Sequence, residues 1–147
     1  MAFTRGEEVE VCSKEDGFLG SYYAATIVSR LDNGMYIVKY KDLLENDESR
    51  PLVETVFKHE VRPVPPEIVS AAAFAYLDKV DAFANDGWWV GKITAKQGSD
   101  YYVYFETTGD EIAYPVSHLR FHLDWRFGKW ISSKKSLLLR SSASPSS

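Results

Sequence analysis

Residues 9–62 of this sequence return, in the same order, between residues 80 and 120. Val9-Glu10-Val11 answers to Val80-Asp81-Ala82, Asp16-Gly17 to Asp86-Gly87, and Tyr22-Tyr23 to Trp88-Trp89. Further on, Ile27 answers to Ile93, Tyr36-x-Val38-x-Tyr40 to Tyr101-x-Val103-x-Phe105, and Val61-Arg62 to Leu119-Arg120. The offset falls from 71 at Val9/Val80 through 66 at Tyr22/Trp88 to 58 at Val61/Leu119, as two copies of one unit with unequal loops require.

Inside each copy the periodicity is two. Glu8 to Val11, Tyr36 to Tyr40 and Tyr101 to Phe105 alternate or enrich β-branched and aromatic residues, with breaks at Asp16-Gly17, Asn33-Gly34, Asp86-Gly87 and Gly109-Asp110. That pattern describes short strands joined by turns and an all-β chain. A helix is considered only from Glu67 to Tyr76, alanine-rich and preceded by Pro65-Pro66, where a linker fits equally well. The organisation read from this is a first barrel at 3–64, a linker at 65–76, a second barrel at 77–131 and a Ser-rich basic tail at 132–147, expected to be disordered. Modules of about 60 residues bury little surface alone, so the two barrels are expected to pack as one unit.

Charge is divided unevenly. Residues 1–130 carry 21 acidic and 14 basic side chains, a net charge of −7, whereas residues 131–147 carry Lys134, Lys135 and Arg140 and no acid. A body of that sign is disfavoured for direct nucleic-acid binding, although local basic patches remain compatible with it, and it suits a basic peptide. The lone Cys12 allows neither an internal disulfide nor a multi-cysteine metal site and fits a reducing compartment. No run of about 18 apolar residues is present for a membrane span, and the N-terminal residues are acidic where a secretory leader would be apolar.

The aromatic residues give the sharpest reading. Strand alternation puts Tyr23, Ala25 and Ile27 on one face of the second strand and Tyr36, Val38 and Tyr40 on one face of the third. Tyr23 opens its strand and Tyr40 closes the antiparallel neighbour, so both rings are expected at one mouth of the barrel, with Trp89 and Phe105 repeating the arrangement. Tyr22 and Phe18 lie nearby in sequence, and Asp16, Asp42, Glu45, Asp47 and Glu48 supply carboxylates. Rings and acids of this kind are the components of a cage for a methylated ammonium, each ring face contributing about 0.5–2 kcal/mol of cation–π attraction. The same rings also serve as ordinary core caps, and an acidic run as a solvated loop.

These residues resemble a known family. Gly6 to Val11, Glu15 to Ala25, Pro51 to Glu54, Val61 to Pro66, Val80 to Phe83, Asn85 to Gly91 and Leu119-Arg120-x-His122-x-Asp124-Trp125-x-x-Gly128-x-Trp130 resemble a plant tandem Agenet module of the Tudor-like superfamily, over about residues 3–131. The resemblance implies two bent five-stranded barrels and a chromatin reader, with histone H3 methylated at lysine 9 as the expected ligand and the nucleus as the compartment. It implies cage positions for Tyr23 and Tyr40, completed by Tyr22 or Phe18, and an acidic rim from Asp16 and Asp42, extended by Glu45 and Asp47. Lys41-Asp42-Leu43-Leu44 stands where many such readers carry a third ring. Asp86, Trp88, Trp89 and Phe105 are the corresponding candidates in the second barrel.

Catalysis is not expected. His59, His118 and His122 are the only histidines, and no glycine-rich phosphate loop, cysteine cluster or nucleophile elbow occurs, so no catalytic residue, metal or cofactor is assigned. His118 and His122 are read as structural or surface residues, and Trp125 and Trp130 as a clamp on the second barrel. Two alternatives to the methyl-lysine reader stand: a scaffold that docks proteins without any methyl mark, and an RNA-binding Tudor-like tandem. The module is expected to be monomeric.

Overall fold

A computed structural model describes residues 2–12, 20–67 and 73–132. Among them there are twelve strands and two one-turn 3-10 segments, Lys58–Glu60 and Val116–His118. The strands are β1 Glu8–Cys12, β2 Ser21–Arg30, β3 Met35–Leu44, β4 Pro51–Phe57, β5 Val61–Pro63, β6 Lys79–Ala84, β7 Gly87–Gln97, β8 Asp100–Phe105, β9 Asp110–Pro115, β10 Leu119–Phe121, β11 Asp124–Arg126 and β12 Lys129–Ile131. Half of the helix considered from Glu67 to Tyr76, residues 68–72, lies outside the described residues. Glu67 before them and Phe74 to Tyr76 after them are not helical. The tail beyond Ser132 also lies outside the described residues.

The chain forms two compact units, one of Met1–Val64 with Ala84–Trp89, the other of Pro65–Phe83 with Val90–Ser147. In the first, antiparallel pairing orders the strands β4-β3-β2-β1-β5. The second repeats the order as β9-β8-β7-β6-β10 and adds the β11–β12 hairpin.

Register shows how closely the copies agree. Ala25 pairs with Tyr40 and Ile27 with Val38, and the ladder then skips Val28 before resuming at Ser29. On β7 and β8, Lys92 pairs with Tyr104 and Ile93 with Val103, and the skip falls at Thr94. An extra residue at the same place bends both long strands and sharpens their twist, which lets a short sheet curl toward a barrel. The inward rows make the cores: Val9, Val11, Tyr23, Ala25, Ile27, Tyr36, Val38, Tyr40, Val56 and Val61 in the first unit, and Val80, Ala82, Ile93, Tyr101, Val103, Phe105, Leu119, Phe121 and Leu123 in the second.

The repeat also reaches further back than the strands. Phe3 meets Tyr36 edge-on at 5.7 Å, and Phe74, 71 positions later, meets Tyr101 edge-on at 5.3 Å. The Glu7 carbonyl accepts from the Ile27 N–H, and that of Asp78 from the Ile93 N–H, both at 3.0 Å. Phe74 to Asp78, read partly as linker, therefore forms the entry segment of the second copy. It carries Leu77 at φ 70 where the first copy has Gly6 at φ 88.

Candidate functional site

Tyr23 and Tyr40 are brought together. Tyr40 pairs directly with Ala25, and Tyr23 stands two residues before Ala25 on the same inward face, a diagonal cross-strand relation in which long side chains reach one another. Both rings belong to one core cluster and are 6% and 5% exposed, so they are buried more deeply than a mouth position implies. The Tyr40 hydroxyl donates at 2.8 Å to Oε1 of Glu54, an exposed carboxylate on the same face of β4 as buried Val56.

Gly87 sits against Tyr23. A Cβ at position 87 would lie 2.5 Å from Tyr23 Cε1, so only glycine allows this approach. The turn before β7 is made by Asn85 and Asp86, with φ of 50 and 65, rather than by the Asp86-Gly87 pair that the sequence pattern marks. Gly87 is needed for packing, not for turning.

The remaining sequence candidates divide. Tyr22 is on the opposite face of β2 from Tyr23, and the Arg62 guanidinium lies 3.6 Å from its ring centroid, so it is not gathered with Tyr23 and Tyr40. Asp16 and Phe18 lie outside the described residues. Asp42 is exposed, on a stretch where β3 advances five residues while β4 advances two, and Leu43 rather than Asp42 turns back onto the core. In the loop beyond, Glu45 pairs with Arg50 at 2.5 Å, while Asp47 accepts from the Ser49 hydroxyl and backbone N–H. Those bonds, the hydroxyl first, lower the Asp47 carboxyl below its ordinary value and keep it anionic.

The second-barrel candidates are arranged differently. Trp88 and Trp89 pair with Tyr22 and Ser21 of β2, inside the first unit, and the Trp89 indole N–H donates to the Ala84 carbonyl at 2.7 Å. Asp86 is an exposed turn residue. Phe105 is buried edge-on against Tyr114 at 6.1 Å, and a Cβ at Gly91, the counterpart of Ala25, would lie 2.5 Å from Val103 Cγ1 and 3.1 Å from Phe105 Cδ1. That face is filled. The other end of the first barrel, at the β2–β3 hairpin, carries an open cleft of about 840 Å³ lined by Arg30, Asp32, Tyr36 and Lys58, among others.

One device was not anticipated from the sequence. Glu10 and Arg62, directly paired on β1 and β5, form a buried ion pair, with the guanidinium donating to Glu10 Oε1 at 2.8 Å and 3.1 Å. Asp81 and Arg120 repeat it on β6 and β10, with Arg120 Nε donating to Asp81 Oδ2 at 2.8 Å. The aligned pairs Glu10/Asp81 and Arg62/Arg120 in the repeat were the available signal. His122 joins the second pair. Its Nδ1 lies 2.7 Å from Asp81 Oδ1 and its Nε2 lies 2.9 Å from Asp124 Oδ1. Burial alone would raise Asp81, but the His122 bond and the charge of Arg120 outweigh it and hold that carboxyl below its ordinary value. Among the described residues, no cluster of three or more His, Cys, Asp or Glu side chains could hold a metal ion, and no helix is long and apolar enough to cross a membrane.

Two five-stranded barrels sharing register, bulge and buried ion pair agree with the comparisons. The Agenet domain family matches residues 6–66. A crystal structure of Arabidopsis thaliana AGDP1 AGD34 superposes with a TM-score of 0.84 at 37% identity, covering 88% of this chain and 89% of that one. The chain belongs to the Agenet family. The ADCP1 tandem Agenet domain 3-4 structure is similar with a TM-score of 0.80 at 33% identity, covering 90% and 89% of the two chains. Among Arabidopsis thaliana proteins, protein AGENET DOMAIN (AGD)-CONTAINING P1 is 40% identical over 92% of this chain, and DUF724 domain-containing protein 3 is 38% identical over 89%. The aligned region spans 26% and 20% of those two relatives, so this Agenet tandem corresponds to a small part of each.

Proposed function

We propose that this Agenet tandem is a non-enzymatic chromatin reader in the nucleus that takes the N-terminal tail of histone H3 with a methylated lysine, lysine 9 being the first candidate. Tyr23 and Tyr40 form the cage walls. The observation that carries this reading is their placement on one inward face of the first barrel, flanking the small Ala25 that faces Tyr40, with the Glu54 carboxylate on the Tyr40 hydroxyl at 2.8 Å and the exposed Asp42 two residues further along β3. Two ring faces attract a methylammonium by cation–π interaction, and nearby carboxylates favour the cationic lysine and its basic neighbours. The first barrel is assigned the ligand because the acidic segment from Asp42 to Glu48 follows Tyr40, whereas a tight turn follows Phe105.

The test is calorimetric titration of the chain with H3 tail peptides that are unmodified or mono-, di- or trimethylated at lysine 9. Tyr40 is 5% exposed, so truncation to alanine also removes core; Tyr40→Leu keeps most of the volume and removes the π face. It is expected to lower affinity for the methylated peptide by a factor of about 5–30, the loss of one cation–π contact, with little change for the unmodified peptide. Tyr102→Ala, on the outward face of β8 with its hydroxyl on Gln97 Oε1, is the control that leaves the preference intact. Equal affinity of the parent chain for all four peptides would establish the methyl-independent scaffold instead.

A further inference from the structure

The β11–β12 hairpin breaks three local rules at one point. Its two-residue loop is Phe127-Gly128, with φ of 52 and 75, a conformation that favours Asn-Gly or Asp-Gly and disfavours a bulky side chain in the first position. Phe127 is also 99% exposed, so its ring gains no packing in return for that backbone conformation. Directly behind the loop, Arg126 pairs with Lys129, two cations facing each other across the hairpin. Trp125 and Trp130 form the next cross-strand pair, with centroids 4.9 Å apart, and stiffen the base of the finger. Where local choices conflict with the fold at a single site, function is the usual compensation.

We propose that this hairpin tip contacts single-stranded nucleic acid, stacking a base on Phe127 between phosphates held by Arg126 and Lys129. Charge selects the partner. Behind the tip Arg126 and Lys129 face one another, and the hairpin has one acid, Asp124, against them, so the tip repels a basic peptide and attracts a polyanion. Asp124, the hairpin's one acid, already faces His122 Nε2 at 2.9 Å and stands 4.0 Å from Arg126. A polyanion also relieves the Arg126–Lys129 repulsion, since each cation then faces a phosphate. The fully exposed ring selects further among polyanions, because a base in a single strand offers its face without first being unstacked. The body's net negative charge is compatible with this because the contact is confined to the exposed turn at Phe127, flanked by Arg126 and Lys129. The proposal is independent of the histone-tail reading, which concerns the first barrel.

The experiment measures fluorescence anisotropy of a labelled oligothymidine and of a duplex of equal length with the full chain, alongside sedimentation with anionic phospholipid vesicles. Phe127→Asn places the preferred residue in the turn, so it is expected to leave thermal stability unchanged or raised while weakening oligothymidine binding about 5-fold or more. The double charge reversal Arg126→Glu/Lys129→Glu is expected to weaken binding and to reduce the salt slope by about 1.4, for two single-strand phosphates. A folded Phe127→Asn chain that binds oligothymidine as tightly as the parent overturns the proposal. So does a loss of thermal stability in that variant, which would make the ring structural. Duplex binding stronger than single-strand binding, or vesicle binding with no oligonucleotide binding, also overturns it and reassigns the tip to duplex DNA or to a membrane.

Discussion

The two Agenet barrels share a frame and differ beside the aromatic residues of their second and third strands. Each pairs its second and third strands in the same register, with a skip one residue after the buried isoleucine, and each sets an arginine of its last barrel strand on a buried acid of its first. Where Ala25 faces Tyr40 in the first barrel, the second has Gly91, and there the Tyr104 backbone, Val103 and Phe105 close in. The first barrel also has the long bulged excursion of β3 and the acidic loop to Arg50, where the second turns tightly from Phe105 to Asp110.

The ion pairs offer the largest test of that shared frame. Arg62→Met is expected to destabilise the first barrel by about 3–5 kcal/mol, since it strips a guanidinium from a buried carboxylate. Arg120→Met is expected to do less, because Arg120 is more exposed than Arg62 and Asp81 keeps its bond to His122. Urea unfolding of both variants decides the order, and an equal or larger loss for Arg120→Met would remove His122 from the explanation.

The glycines separate packing from the proposed binding. Gly91→Ala and Gly87→Ala are each expected to cost about 1–3 kcal/mol through overpacking. Gly91→Ala should be the worse, since its Cβ would meet a backbone oxygen, that of Tyr104, at 2.8 Å, whereas at Gly87 the nearest atoms belong to the Tyr23 ring, a side chain that can shift. Peptide titration sharpens the contrast: displacement of the Tyr23 ring in Gly87→Ala should weaken methyl preference, and Gly91→Ala should spare it.

Acid should separate the barrels more gently. Asp81 has a folded value below its ordinary 3.8, so its contribution to stability is present above 3.8 and is lost as the pH falls through the folded value. Asp81→Asn is expected to flatten the acid limb of thermal stability below that pH, at some cost in stability near neutrality. An unchanged acid limb in the folded variant would assign acid sensitivity to other carboxylates.

The smallest expected effect is at the rim. Asp42→Asn should weaken a basic peptide by about 2-fold at low salt and less at physiological salt, where exposed charges are screened over about 8 Å. If the loss is undiminished by salt, Asp42 makes a direct bond rather than a field.

Short-range periodicity was enough to read the shared frame from the amino acids. Order in the repeat predicts two copies, alternation puts Tyr23, Ala25, Tyr36 and Tyr40 on inward faces, and the family motifs name the barrel. Those readings hold because strand geometry assigns faces locally, two residues at a time. How deeply the rings sit, and what lies on them, depends on residues distant in the chain. Gly87 reaches Tyr23 from 64 positions away, Arg62 reaches Glu10 and the ring of Tyr22, and His122 meets Asp81 across 41 positions. Such contacts came only from the assembled barrels, because a buried charge or a close backbone approach is set by which strands come to lie side by side, and no local period encodes that.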